Sequence, residues 1–264
     1  IGQMAAEIDL PGTAVAAISL TFDDAKLSQP DYGIPVLNQY GVKGTFYVRG
    51  DNGRVPDRLQ LWQNAIAAGH VTGNHSVTHP CSGNAPWIGD TDQALENYTL
   101  DKIDTEMKQA NATIYNYLGV TPISFAYPCG LDFVGRGENR QSYVPVVARN
   151  FLSGRGYRNE AMNQPGFVDL AFVHSFGVDP MTYSEMIAEM EKAITDHAWV
   201  IFTAHDTNSS NTDRGLTTGN LAKICQWLNQ NSNRIWCAPV GTVAQHIAAA
   251  RGETGINNFE KFSE

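Results

Sequence analysis

The sequence predicts an α/β fold built from parallel βα units, about seven of them, and so a barrel in preference to an open sheet. Three observations carry this. Short runs of strand length alternate with segments of helical periodicity from one end of the chain to the other. Two of those runs, 14–22 and 199–205, are strongly apolar, as strands buried on both faces of a parallel sheet are. The 264 residues hold no linker, repeat or low-complexity tract, which reads as one domain over 1–264.

In chain order, A-V-A-A-I-S-L-T-F at 14–22 is a buried parallel strand ending in Asp23 and Asp24. A helix over 30–41 starts at Pro30 and stops at Gly41, and V-K-G-T-F-Y-V at 42–48 is the next strand. Residues 57–68 have helical apolar spacing with Gly69 as the stop, and V-T-G-N-H runs into a histidine-rich loop. A long helix is expected over 91–118, capped by Asp92 or Thr91, with Leu95, Leu100, Ile103, Met107, Ile114 and Leu118 as its stripe. I-S-F-A-Y at 123–127 is a strand ending at Pro128, followed by a helix near 141–149 and a strand over 151–156. Residues 157–180 read as irregular. A helix over 183–196 and a strand W-V-I-F-T-A-H at 199–205 follow. The chain then gives a polar loop at 208–214, a helix to about 230, a strand at 234–237 and a helix at 239–250.

The composition sets limits on function. At 42% hydrophobic and 17% charged, the chain has the apolar mass of a globular core. A net charge of -9 and a pI near 5.2 argue against nucleic acid, whose binding requires a basic surface, and against anchoring on anionic lipid. No apolar run approaches the roughly 18 residues of a membrane span, and no basic-then-apolar signal opens the chain. Starting at Ile1 without Met, it is expected to have a processed or trimmed N-terminus, and its low Lys and Arg content leans toward an extracytoplasmic or secreted setting. None of the four cysteines forms a C-x-x-C pair, so a zinc knuckle is not expected. In an oxidising compartment Cys81–Cys129 and Cys225–Cys237 are the economical disulfides; otherwise all four are buried thiols.

The chemistry collects at strand ends. G-H-V-T-G-N-H-S-V-T-H-P, 69–80, places His75 and His79 four residues apart, so both imidazoles can reach one ion. A catalytic metal site usually takes three protein ligands, often two His and one carboxylate, and leaves a position open to water. Asp23 and Asp24, His75 and His79, Tyr127 and Pro128, and His205 all lie at the C-terminal ends of expected strands. In parallel α/β folds that face carries the active site. His70 and His246 read as structural, and His174 is assigned to neither group. Trp87, Tyr98, Tyr143 and Phe176 are candidates to line a ligand groove with their ring faces, Trp87 and Tyr143 foremost, with core packing the default for any one of them.

T-F-D-D-A (21–25), H-S-V-T-H-P (75–80), F-A-Y-P-C-G (125–130) and T-A-H (203–205) together resemble the ordered motifs of the polysaccharide deacetylases, the family-four carbohydrate esterases. The resemblance runs over roughly 15–250. It implies a distorted (β/α) barrel with fewer than eight units. It implies Asp24, His75 and His79 as ligands of a divalent metal, usually zinc, with cobalt or another transition metal as substitutes. Asp23 would then be the general base, His205 the general acid, and the Tyr127 backbone N–H part of an oxyanion hole. The residue types suit these tasks: a metal acidifies water and polarises a carbonyl, a free carboxylate takes a proton, and a histidine returns one near neutral pH.

Three departures stand out. The third motif of the family carries an arginine that pairs with the catalytic aspartate, and this chain has Ala126 there. Arg136, Arg140 or Arg155 would supply the cation, Arg155 first because it ends a strand. No clean match exists for the aspartate that orients the catalytic histidine; Asp169 and Asp179 are the candidates. Ala25 stands where Gly is usual. The expected activity is metal-dependent removal of N-acetyl groups from GlcNAc-type glycans such as chitin, chito-oligosaccharides or peptidoglycan. The alternatives are an O-acetyl esterase on xylan or a similar polymer, and a carbohydrate-binding pseudoenzyme.

Overall fold

A computed structural model describes residues 7–50, 54–208 and 213–253. Residues 209–212 of the expected polar loop lie outside them. The strands are β1 (Ala16–Asp23), β2 (Thr45–Val48), β3 (Val71–Asn74), β4 (Ser124–Ala126), β5 (Phe133–Val134), β6 (Gln141–Ser142), β7 (Ser153–Arg155), β8 (Phe176–Gly177), β9 (Trp199–Ala204) and β10 (Ile235–Cys237). The helices are α1 (Ile34–Gln39), α2 (Leu59–Ala67), α3 (Leu100–Leu118), α4 (Val144–Asn150), α5 (Tyr183–Asp196), α6 (Thr218–Gln230) and α7 (Val240–Ala250).

Seven parallel strands run in the order β7-β4-β3-β2-β1-β9-β8, and β10 lies parallel beside the start of β1. An isolated parallel bridge, Arg155 to Val173, brings the segment leading into β8 against β7. The sheet therefore curls into the expected distorted barrel. The hairpin β5–β6 lies apart from it.

Every residue of β1 and of β9 is buried, which explains their unbroken apolar runs. The two faces still differ. Ala16, Ile18, Leu20 and Phe22 of β1 pack into the main core with Leu37, Met186, Met190, Leu221 and Ile224 from the outer helices. The alternate residues, Ser19, Thr21 and Asp23, are polar and buried. Paired strands set Thr21 beside Thr45 and Thr203, Asp23 beside Tyr47, and Ala126 beside Arg155. The barrel interior is thus a column of hydroxyls rising to a carboxylate and a guanidinium. The Oγ1 atoms of Thr21 and Thr203 are 3.1 Å apart.

Two helix starts differ from expectation. α3 begins at Leu100, not near 91: Thr99 caps it, its side chain accepting from the Lys102 N–H, and Leu95–Asn97 form only a short 3-10 turn. Asp92 and Thr91 cap nothing there, and Leu95 packs in a second core cluster with Ile103 and Met107. The helix expected near 141 starts at Val144, because Gln141 and Ser142 pair with β5. α5 matches its expected 183–196, set by a reciprocal Thr182–Glu185 capping box.

Cys81–Cys129 is a disulfide with its Cα atoms 5.9 Å apart. Cys225 and Cys237 are free thiols, correcting the second expected bridge. Both pack in the apolar core between α6 and β10, where burial pushes each thiol up to about 12. Among the described residues no helix is long and apolar enough to cross a membrane.

Candidate metal centre and active-site cleft

The two aspartates diverge because the backbone turns between them. Asp23 ends β1 in the sheet, while Asp24 (φ 70°) and Ala25 (φ 48°) adopt left-handed conformations. Asp tolerates that region; Ala adopts it at a cost, the reason glycine suits position 25. Buried Gln29 then ties two strand ends together, its Nε2 donating to the carbonyls of Asp23 (2.7 Å) and His205 (2.8 Å).

Asp24, His75 and His79 converge, with one ligand atom from each lying within 4.8 Å of the others. His75 Nδ1 is 2.9 Å from the Ala126 carbonyl. A carbonyl only accepts, so Nδ1 carries the proton and Nε2 keeps its lone pair. Nε2 of His75 and Nε2 of His79 each stand 3.7 Å from Asp24 Oδ1. Two ligands about 2.1 Å from one ion at a tetrahedral angle stand about 3.4 Å apart, so the spacing suits a shared cation. Asp24 Oδ1 is buried and has no hydrogen-bond partner among the described residues. Burial lowers the pKa of His75, and lowers that of His79 to about 3, so both imidazoles are neutral, the ligating form. For Asp24 burial acts upward, but His75, His79, His205 and Lys26 outweigh it and hold the carboxyl at about 2. The donor set therefore fits a divalent cation with nitrogen and oxygen ligands.

Two further pairs flank this cluster. Arg155, fully buried, sets Nη2 at 2.5 and 2.6 Å from the two oxygens of Asp23, and donates from Nη1 to Thr203 Oγ1 at 2.8 Å. Asp23 Oδ2 is 3.9 Å from His75 Nε2. His205 Nδ1 lies 2.6 Å from Asp179 Oδ2, and the His205 backbone N–H donates to Asp179 Oδ1 at 3.1 Å. Burial alone would lower the His205 pKa; the Asp179 hydrogen bond and the charges of Asp23, Asp179 and Asp24 outweigh it and raise it. The cation expected beside Asp23 is thus Arg155, and the aspartate beside His205 is Asp179. Asp169 instead caps the short 170–172 turn, Arg136 pairs with exposed Asp90, and Arg140 lies over the Phe133 ring.

Asp23, Asp24, His75, His79 and His205 line one cleft of about 600 Å³, with Trp87 and Tyr157 among its walls. Trp87 is 73% exposed and free to meet a ligand. Sequence reasoning missed Tyr157, whose ring meets His205 edge-on at 5.5 Å. Its position just beyond the end of β7 was the available signal.

Two expected site residues are corrected. The Tyr127 N–H donates to the Arg155 carbonyl at 3.0 Å, and its hydroxyl to the Ala171 carbonyl at 2.7 Å, so neither is left for an oxyanion. Tyr143 is fully buried, its hydroxyl donating to the Leu131 carbonyl at 2.6 Å, and cannot stack on a sugar. Tyr98 and Phe176 are likewise buried. His70 is structural: burial lowers it to about 4, and its Nδ1 accepts from the Gly44 N–H. His246 contacts the Asp9 carbonyl. The backbone of His174 is held on both sides by Asn163, and His174 is not among the cleft walls.

The parallel strands and this strand-end cluster define a distorted (β/α) barrel with a candidate metal centre at the C-terminal ends of its strands. The family model described as polysaccharide deacetylase matches residues 12–135 of the chain, from ahead of β1 through β5. The chain is 32% identical over 111 residues to the peptidoglycan-N-acetylmuramic acid deacetylase of Bacillus subtilis, covering 42% of this chain and 36% of that one. It is 38% identical over 71 residues to a chitooligosaccharide deacetylase of Sinorhizobium fredii, covering 26% and 32%. The match thus spans about a third of these relatives' lengths. A solved structure from Mycobacterium smegmatis, assigned as a polysaccharide deacetylase, superposes over 95% of this chain and 96% of that one with a TM-score of 0.65 at 16% identity, a likeness of fold.

Proposed function

We propose that this protein is a metal-dependent deacetylase that hydrolyses N-acetyl groups of GlcNAc-type glycans. The observation that supports it most is the meeting of Asp24, His75 and His79 with an Arg155-held carboxylate and an Asp179-held histidine on one open cleft. The named activities of the two relatives, both deacetylases of amino-sugar glycans, point the same way.

Asp24, His75 and His79 would hold a divalent cation, with zinc favoured by the nitrogen and oxygen donors and cobalt as its substitute. When bound, the cation supplies a Lewis acid for the acetyl carbonyl and acidifies water beside it. Asp23 takes the proton of the attacking water; Arg155 fixes the carboxylate in place and leaves each oxygen a further lone pair. His205 gives a proton to the departing nitrogen from Nε2, because the Nδ1 bond to Asp179 fixes its tautomer. The oxyanion donor is reassigned from Tyr127 to Cys129. Pro128 has no N–H, so the Cys129 amide is the next on the same wall of the cleft. Trp87 offers its exposed face to a pyranose ring.

The test is acetate release from a panel of N-acetylated and O-acetylated glycans, with chelator and with added zinc or cobalt. Release from chito-oligosaccharides or peptidoglycan fragments, lost on chelation and restored by metal, is expected. Release from acetylated xylan alone would replace this reading with an O-acetyl esterase. No release from any member would leave a carbohydrate-binding pseudoenzyme.

A further inference from the structure

Glu106 on α3 is a buried carboxylate, 6% exposed, with no ion-pair partner among the described residues. Hydrogen bonds replace the missing cation. Its Oε2 accepts the backbone N–H groups of Val77 (3.2 Å) and Thr78 (3.1 Å). Its Oε1 accepts the hydroxyls of Thr78 (2.8 Å) and Tyr98 (2.6 Å). Three of the four donors belong to the loop between His75 and His79.

That loop is not held by its own conformation. Ser76 (φ 59°) and His79 (φ 56°) are both left-handed without being glycine, a backbone that persists only where its surroundings over-determine it. Inside the loop, His79 N–H donates to Ser76 Oγ at 3.0 Å. Just before it, Asn74 grips α3 through the Met107 carbonyl (2.8 Å) and Asn111 Oδ1 (2.7 Å) while accepting from the Ser76 N–H (2.8 Å). Helix α3 thus clamps the histidine loop at two places.

We infer that Glu106 is a positioning residue for the metal centre, fixing the spacing of His75 and His79 by hydrogen-bonding the residues between them. This rests on the reading of those histidines as metal ligands. The role is geometric. A glutamine fits it: Oε1 faces the two amides, the NH₂ faces the two hydroxyls, and those hydroxyls rotate to accept. An aspartate keeps the charge but is one methylene short of the amides.

The test is metal affinity of the full chain, measured by zinc competition with a chromophoric chelator on metal-stripped protein, with circular dichroism as the check of folding. Wild type is expected to bind one equivalent tightly and His79→Ala to lose that binding. Glu106→Gln is expected to stay within about threefold of wild type, and Glu106→Ala and Glu106→Asp to weaken binding by about 10–100-fold, as outer-shell changes do. If Glu106→Ala does not fold, Glu106→Asp decides. Wild-type affinity in the folded Ala or Asp variant, with His79→Ala inactive in binding, overturns this inference and leaves the metal reading standing. So does a Gln variant as weak as Asp, which would make the effect one of charge. Absence of tight binding in wild type overturns the metal reading and this inference with it.

Discussion

Arg155 reaches Asp23 across the barrel interior, from β7 to the end of β1, and covers both carboxylate oxygens with one Nη2 atom at 2.5 and 2.6 Å. Its position is one strand away from Ala126, with which it is paired in register on β4. In-register neighbours on parallel strands project to the same face. The guanidinium therefore occupies space that a side chain at 126 would share, and Ala126 is the small residue that leaves room for it.

Removing Arg155 would leave a buried carboxylate without its cation. Arg155→Ala is expected to destabilise the fold by about 3–5 kcal/mol, read by urea unfolding. It is also expected to lower acetate release by about 10²–10⁴-fold through loss of an oriented base. The double variant Ala126→Arg/Arg155→Ala should regain stability and part of the activity. A folded double variant no better than the single one would refute the idea that the two register partners are equivalent positions for the cation.

The Asp179–His205 contact sets a pH limit. His205 is raised above the ordinary histidine value because Asp179, Asp23 and Asp24 outweigh the effect of burial. A general acid must start protonated, so turnover falls as pH rises through that raised value. The sign for stability is the same: the contribution is complete below the unfolded pKa and is lost as pH rises through the folded one. Asp179→Asn removes the hydrogen-bonded charge and leaves burial acting downward. Its alkaline limb in kcat/KM is expected to move to lower pH than that of wild type. An unmoved limb would remove His205 from the role of acid.

Much of this was legible in the sequence because strand ends are marked by abrupt changes from apolar to chemically distinctive residues. T-F-D-D, H-S-V-T-H and T-A-H each close a run of buried residues, and those three runs became β1, β3 and β9. Arg155 was nameable for the same reason. What stayed hidden was set by hydrogen bonding across the fold. Tyr127 N–H is consumed by the β4–β7 ladder, a pairing of residues 28 positions apart that no local pattern encodes. Tyr143 and Trp87 are both aromatic residues in loops, and only packing separates the buried one from the exposed one. Glu106 sits on a helix whose polar residues otherwise read as a solvated face. The start of α3 was misplaced because Leu95 continues the apolar spacing while packing as part of a separate turn.

The Cys81–Cys129 bridge joins the segment just after His79 to the wall that follows β4, across a sequence separation of 48. A closed loop of that length is worth about 2–4 kcal/mol in typical cases. Cys81→Ser/Cys129→Ser is expected to lower the unfolding free energy by that amount and to loosen both loops of the cleft. Thiol titration of the native wild type should find Cys225 and Cys237 slow to react and unbridged, with two thiols counted after unfolding without reductant. Four thiols counted under those conditions would show the first bridge absent, and none would show the second one formed.

Asp23 and His79 stand in the same cleft but are proposed for different tasks, and their variants should separate them. Asp23 is outside the three-residue cluster, with Oδ2 3.9 Å from His75 Nε2 and both oxygens engaged by Arg155. Asp23→Asn is close in shape, so the cluster keeps its ligands and metal affinity should stay within a few-fold of wild type. The proton acceptor is gone, and kcat should fall by about 10²–10⁴-fold with KM little changed. His79→Ala deletes a ligand, so affinity and activity should fall together, and excess zinc should restore part of the activity. Chelation of wild type should imitate His79→Ala and not Asp23→Asn. Asp23→Asn protein that binds zinc and turns over at the wild-type rate would exclude Asp23 as the base, whereas loss of zinc in that variant would place Asp23 among the ligands.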